Sequence, residues 1–307
     1  MEYEIKDKIT DKITDKIIAN KYKLGNILSN GSFGVVFSGK NINTDEKVAI
    51  KFENPNTGKS LKHETRILNY LYSNKVRKIP AIYWYGNYSC LTCLVITFYE
   101  KSLLEYITEQ KNNENSINER NLQKIGESMI DILSNIHENF IIHRDLKPQN
   151  FMIKNNELYL IDFGLSTFYI SDTNEHLPNI RSETIIGTPK YMSINILEGN
   201  RYSRRDDMIS IGYILVNIYL GRIFWDNEER QENEDNEQTD KTNINNESNK
   251  LNIDHPINRE RLENRRIELF RKYIKDTNIL EYLEEVYSYN YTDKPDYTKL
   301  INIIIKS

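Results

Sequence analysis

Cysteine is almost missing from this 307-residue chain: only Cys90 and Cys93 occur. No disulfide framework can be built from one pair this close, and a reducing, intracellular location is expected, cytoplasmic or nuclear. Their C-x-x-C spacing lacks the second ligand pair that a structural zinc site needs. A redox pair would sit at a helix start, whereas residues 89–97 read as strand, so both are taken as ordinary strand or turn residues. Proline (7) and glycine (12) are too scarce for a collagen-like or Pro-rich chain. A basic excess is missing as well. Lys+Arg number 41 against 45 Asp+Glu, a net charge of −4, which argues against a general nucleic-acid binder. Long apolar runs are also lacking. The longest, Ile209–Leu220, is broken by Ser210, Gly212 and Asn217. It is too short and polar to span a bilayer, so it predicts a buried helix and no membrane partner. Residues 2–16 are rich in charge and lead into no apolar stretch, so no targeting signal is read there.

What is present divides the chain. Residues 7–18 repeat Asp-Lys-Ile-Thr with period four, and residues 1–19 are read as a low-complexity extension, with a docking helix as the other reading. Residues 226–250 hold nine acidic and three basic residues, a net of −6; with −4 for the whole chain, the remainder carries +2. Asn, Gln, Glu and Asp dominate that stretch, so residues 226–258 are expected to be a disordered acidic insertion. Between these anomalies, short β-rich runs (residues 35–37, 48–52 and 94–96) surround one helix-like stretch, His63–Tyr72. From about residue 102 helical periodicity takes over, in Leu103–Thr108, Leu122–His137, Asp207–Leu220 and Arg261–Tyr273. The expected fold class is α+β: a small β-rich lobe at about 20–99 and a larger α-helical lobe at about 100–305. A hinge is expected near Thr97–Lys101, with a cleft beside it.

Three motifs carry chemistry. The first is the glycine-rich run Leu28-Ser29-Asn30-Gly31-Ser32-Phe33-Gly34-Val35-Val36. It lies between two strand-like runs, which disfavours a dinucleotide fold, and its glycines would let backbone N–H groups approach phosphates. The second is Lys51, ending the apolar run Val48-Ala49-Ile50, with Glu64 thirteen residues on. A lysine in such a place is often a snorkelling surface residue. A carboxylate partner would instead keep a buried ammonium charged and aimed, able to grip nucleotide phosphates. The third is His143-Arg144-Asp145-Leu146-Lys147-Pro148-Gln149-Asn150, followed by Asp162-Phe163-Gly164. Phosphoryl transfer is mainly positioning and charge neutralisation. Asp145 supplies a carboxylate to accept a hydroxyl proton. Asn150 and Asp162 supply hard oxygen ligands for Mg²⁺. Lys147 can offset charge on the transferring group, and His143 is read as structural.

In these motifs the chain resembles a eukaryotic-type protein kinase, and within that superfamily the casein kinase 1 family. Gly187-Thr188-Pro189-Lys190-Tyr191-Met192 leads into Ser193-Ile194-Asn195 where most such enzymes have Ala-Pro-Glu. Ser203-Arg204-Arg205-Asp206-Asp207, Trp225 and Asp293-Lys294-Pro295-Asp296-Tyr297 match that family in place. The resemblance covers about residues 20–305 apart from the insertion. It implies a two-lobed fold and transfer of the γ-phosphoryl group of Mg-ATP to Ser/Thr hydroxyls of protein substrates by a monomer. It further implies that Leu28, Val36 and Ala49 wall the adenine with Met152 below, and that Ile96 is the gatekeeper. Thr97, Phe98 and Tyr99 would be the hinge, and Glu105 would meet the ribose. Thr188 and Lys190 would help dock substrate, and Asp207 would fix the catalytic loop. A vaccinia-related-kinase-like member shares the Arg-rich run, but Ser193-Ile194-Asn195 favours casein kinase 1. A non-catalytic scaffold would usually have lost the lysine, the base or a metal aspartate.

Departures from the pattern are Ser29 in place of a glycine and Glu100-Lys101 in place of Gly-Pro after the hinge. The acidic segment after Trp225 replaces lysines and should weaken recognition of acidic substrates. Arg144 could pair with a phosphate on Ser171, Thr173, Ser182 or Thr184, yet the family resemblance implies activity without one. The chain stops at Ser307, just past the kinase-like region, and basal activity with no release step is expected.

Overall fold

The computed structural model describes residues 17–31, 34–56, 60–112, 117–181, 184–223, 266, 268–275 and 277–306. Ser32, Phe33, Ser182 and Trp225, the repeat up to residue 16 and the 226–258 segment lie outside the described residues. So does the first part of the stretch expected to be helical at 261–273, of which residues 268–273 are helical. The chain forms two compact units: residues up to Leu103 with Gln149–Thr167, and Leu104–Pro148 with Phe168 onward.

The first unit is built on a six-stranded antiparallel sheet. Its strands are β1 (Ile17–Ile18), β2 (Tyr22–Gly31), β3 (Gly34–Asn41), β4 (Lys47–Glu53), β5 (Ile82–Tyr88) and β6 (Leu91–Thr97), in the order β1-β2-β3-β4-β6-β5. Alternation fixes one face inward. In β3, Val35, Phe37 and Gly39 are buried while their neighbours are not, and Phe37 meets Phe52 edge-on at 5.7 Å. Val48, Ile50, Cys93 and Val95 belong to the same core, as do Ile18, Tyr22 and Leu24 from β1 and β2. Cys93 is a buried strand residue whose thiol is pushed up to about 12 by burial, and Cys90 is exposed in the turn before β6. Gly34 opens β3 at φ +123°, and a Cβ there would lie 2.1 Å from the Phe52 carbonyl oxygen, so only glycine lets β3 and β4 approach this closely.

One helix, α1 (Ser60–Ser73), buries Leu61, Glu64, Ile67, Leu68 and Leu71. A hairpin of β8 (Phe151–Lys154) and β9 (Glu157–Leu160) completes this unit. The Asn155-Asn156 turn has φ +53° and +60°, the doubly left-handed geometry that two-residue hairpin loops require and asparagine tolerates. Residues 149–167 belong to this unit and not to the helical lobe expected for them at about 100–305. They group with the sheet because β8 pairs with the short strand β7 (Lys101–Ser102), Leu160 N donates to the Lys78 carbonyl, and His63 Nε2 lies 2.7 Å from the Ser166 carbonyl oxygen. Glu100 N also donates to the Ile153 carbonyl. The Glu100-Lys101 departure is therefore absorbed by strand pairing.

The second unit is helical: α2 (Leu103–Asn112, entered from the end of the first unit), α3 (Glu119–Glu138), α4 (Ile194–Leu197), α5 (Arg204–Leu220), α6 (Asn278–Ser288) and α7 (Tyr297–Ile305). α5 contains the interrupted apolar run and is buried on every side from Asp206 to Ile218, as expected of a helix at the centre of a bundle. Among the described residues no helix is long and apolar enough to cross a membrane.

Candidate active site

Strand β4 and helix α1 create the first polar constellation. Lys51 Nζ donates to both Glu64 carboxylate oxygens, at 2.7 and 2.9 Å, and lies 3.8 Å from Asp162 Oδ1. Burial would lower the lysine, but the charges of Glu64 and Asp162 outweigh it and raise its pKa. Burial also pushes the Glu64 carboxyl up. The two short bonds suit the ionic form of the pair, because a neutral partner would leave the buried ammonium without compensation. The hairpin sets the positions of Asn150 and Asp162. Asn150 immediately precedes β8 and Asp162 lies just past β9, Phe151 pairs with Leu160, and Ile161 N donates to the Asn150 carbonyl at 2.9 Å. Both residues therefore stand at the open end of one hairpin. Asp162 adopts φ +69°, ψ +68°, a left-handed conformation that a non-glycine residue holds only when its surroundings fix it.

The described parts of the glycine-rich segment pair across β2 and β3, with Gly31 opposite Gly34, Asn30 opposite Val35 and Ser29 opposite Val36. Leu28 and Ser29 are exposed. Val36 packs on a cluster containing Ala49 and Ile96. Leu28, also expected to wall the adenine, is not part of that cluster. Thr97 exchanges hydrogen bonds with Ala81 through its backbone and its hydroxyl, and Phe98 lies under the Lys47 ammonium. Tyr99 is buried, its ring 5.0 Å from that of Tyr159, and burial raises its hydroxyl far above the ordinary value. Met152 sits in β8 opposite Tyr159.

The second constellation lies in the helical unit. Asp145 is 4% exposed. Its Oδ2 accepts from Lys147 Nζ at 2.7 Å and its Oδ1 from the Thr188 hydroxyl at 2.7 Å, while Lys147 also reaches Thr188 Oγ1 at 3.2 Å. Burial would raise this carboxyl, but those hydrogen bonds and the Lys147 charge hold it below the ordinary carboxylate range. It is therefore an ionised acceptor at neutral pH. Gly187 brings Thr188 there. At φ +108°, a Cβ on it would lie 2.6 Å from the Arg144 carbonyl oxygen. Gly187→Ala is expected to destabilise the fold by about 1–3 kcal/mol through strain alone, and thermal unfolding of the variant against wild type measures it. Lys190 is half-buried in the 3₁₀ turn Pro189–Tyr191. Glu105 is exposed on the first turn of α2.

Buried α5 carboxylates hold this loop from beneath. Asp207 Oδ2 accepts from His143 N at 2.8 Å and Oδ1 from Arg144 N at 3.0 Å, and Arg144 takes φ +70°. His137 Nε2 lies 2.9 Å from Asp207 Oδ2 and its Nδ1 lies 2.8 Å from the Tyr297 hydroxyl. A carboxylate only accepts, so Nε2 carries a hydrogen toward Asp207, while Nδ1 pairs with the Tyr297 hydroxyl. Asp206 accepts from the Ser193 hydroxyl at 2.6 Å, from Asn195 Nδ2 at 3.3 Å and from Ser203 N at 2.8 Å. Ser193 and Asn195 thus fasten the end of the Gly187–Met192 segment to α5.

Sequence reasoning did not single out His137, Tyr297 as its partner, Asp206 as an anchor, or Glu53. A histidine on the apolar stripe of α3 and an acid closing an apolar strand were the available signals.

Residues 22–302 match the family described as "Protein kinase domain". Among curated proteins, "Casein kinase I homolog 2" of Schizosaccharomyces pombe is 31% identical over 226 residues, covering 71% of this chain and 51% of that protein. The chain thus spans about half the length of this relative.

Proposed function

We propose that this chain, which belongs to the protein kinase family and is casein kinase 1-like within it, transfers the γ-phosphoryl group of ATP to serine and threonine hydroxyls of protein substrates. The observation that carries the reading is the ionised, buried Asp145 clasped by Lys147 and Thr188. A carboxylate that accepts both of those bonds can accept a third, from a substrate hydroxyl. As that oxygen bonds to the γ-phosphorus, its proton passes to Asp145, and the bond to the β-phosphate oxygen breaks with its electrons leaving on ADP. Lys147 offsets charge on the moving phosphoryl group. Lys51, kept charged by Glu64, holds the phosphates of the nucleotide, and the glycine-rich run Leu28–Val36 would offer them backbone N–H groups.

Asn150 and Asp162 offer an amide and a carboxylate oxygen at one hairpin end. Such hard donors suit Mg²⁺, which is held by few protein ligands plus phosphates and neutralises phosphate charge. Thr188 and Lys190 would receive the substrate segment. With two free cysteines and no disulfide requirement, the reading places the protein as a monomer in the cytoplasm or nucleus. The test is transfer of label from γ-labelled ATP to a casein-like protein. Magnesium-dependent labelling of serine and threonine supports the reading. Labelling of tyrosine alone, or none by a folded chain, refutes it.

A further inference from the structure

Glu53 is an acidic residue 5% exposed at the end of β4, and the chemistry above does not use it. Its Oε1 accepts from Ser60 N at 2.9 Å and its Oε2 from Leu61 N at 3.2 Å. These are the first two amides of α1, a helix with no acidic residue in its own first turn. Such amides have no partner within the helix, and a negative charge beside them is favourable. Glu53 and Lys51 are two residues apart, so both side chains leave the same face of β4. Glu64 follows Ser60 by four residues, so it lies on the same helix face one turn in. The strand therefore grips the helix at two points: a carboxylate on its first amides, and an ammonium on the carboxylate one turn later.

We propose that Glu53 is a positioning residue for nucleotide anchoring. It pins the start of α1 to β4 and thereby sets where Glu64 meets Lys51. The inference rests on the kinase reading for its consequence in turnover, and it explains how α1 can be held without any added phosphate. The fourth residue of α1 is tied independently, by His63 to the Ser166 carbonyl. Loss of Glu53 should therefore leave the helix attached through His63, with the Ser60–Leu61 end released and the angle at which Glu64 meets Lys51 no longer fixed from that side.

The experiment compares wild type, Glu53→Gln, Glu64→Gln and the double variant, reading affinity for a fluorescent ribose-labelled ATP together with KM for ATP and kcat. Glu53→Gln is expected to weaken nucleotide affinity and raise KM for ATP by about tenfold, with kcat changed by less. A misplacement of about an ångström can cost on the order of 10²-fold in well-positioned sites, and a smaller shift of Glu64 correspondingly less. In the Glu64→Gln background the same substitution should change affinity by less than about twofold, because the contact it positions is already lost. Wild-type affinity in Glu53→Gln, or an equal fold-loss in both backgrounds, overturns the proposal. If Glu53→Gln does not fold, Ser60→Pro replaces it. Proline is tolerated at the first helical position and removes one donor while leaving the carboxylate. It should weaken nucleotide binding several-fold, and unchanged binding again overturns the proposal. A wild type that binds nucleotide but transfers nothing would refute the kinase reading, while the affinity comparison would still decide this one.

Discussion

Asp145→Asn is expected to lower kcat by roughly 10²–10⁴-fold, the range that general-base contributions span, with KM for ATP close to wild type. The amide keeps the size of the carboxylate and one of its acceptor oxygens, so the bond from either Thr188 or Lys147 survives. It cannot take up a proton and carries no charge to favour the Lys147 ammonium. Steady-state kinetics with saturating peptide, beside thermal unfolding, checks the prediction. A loss of activity matched by a collapse in stability would assign Asp145 to the fold rather than to the reaction.

Asp207→Asn should act through structure first. Its carboxylate receives three donors, His143 N, Arg144 N and His137 Nε2, where an amide offers one acceptor and adds donors of its own. Each buried donor left without a partner costs about 1–3 kcal/mol. The His143–Asn150 loop would then relax from the left-handed Arg144 conformation, and under the kinase reading a shift of about an ångström is enough to cost on the order of 10²-fold in rate. The pH dependence identifies the cause. Burial would raise the Asp207 carboxyl, but the His137 bond and the neighbouring donors hold its folded pKa below the unfolded one. The stability it contributes is therefore fully present above the ordinary carboxylate value and is lost as pH falls through the depressed folded value. Wild type should lose that increment on acidification, whereas Asp207→Asn should show a shallower acid-side slope in its melting temperature. Equal slopes would exclude the depressed carboxylate as the origin.

The parts of this account that could be read from sequence depend on short-range spacing. Asn150 and Asp162 were legible as candidate metal ligands from their motifs, whereas the hairpin that sets both at one end is seen only in the structure. The apolar run ending at Lys51 and the helical pattern around Glu64 likewise limited which carboxylate could meet that ammonium. The parts that could not be read are long-range polar pairings. His137 meets Tyr297 across 160 residues, and nothing in either local pattern names the other. Glu53 reads as a polar strand end until α1 is seen to begin against it. The hairpin's grouping with the sheet was equally hidden, because it depends on two-residue pairing with Lys101–Ser102 that no periodicity signals.

The central claim is a division of labour between an ammonium that anchors nucleotide and a carboxylate that takes up the hydroxyl proton. Titration calorimetry with Mg-ATP on Lys51→Met and Asp145→Asn, each alongside its turnover number, tests that division most directly. The account predicts that Lys51→Met loses both binding and turnover, while Asp145→Asn binds Mg-ATP within a fewfold of wild type and turns over hardly at all. Full turnover by either folded variant, or equal loss of Mg-ATP binding in both, would contradict it.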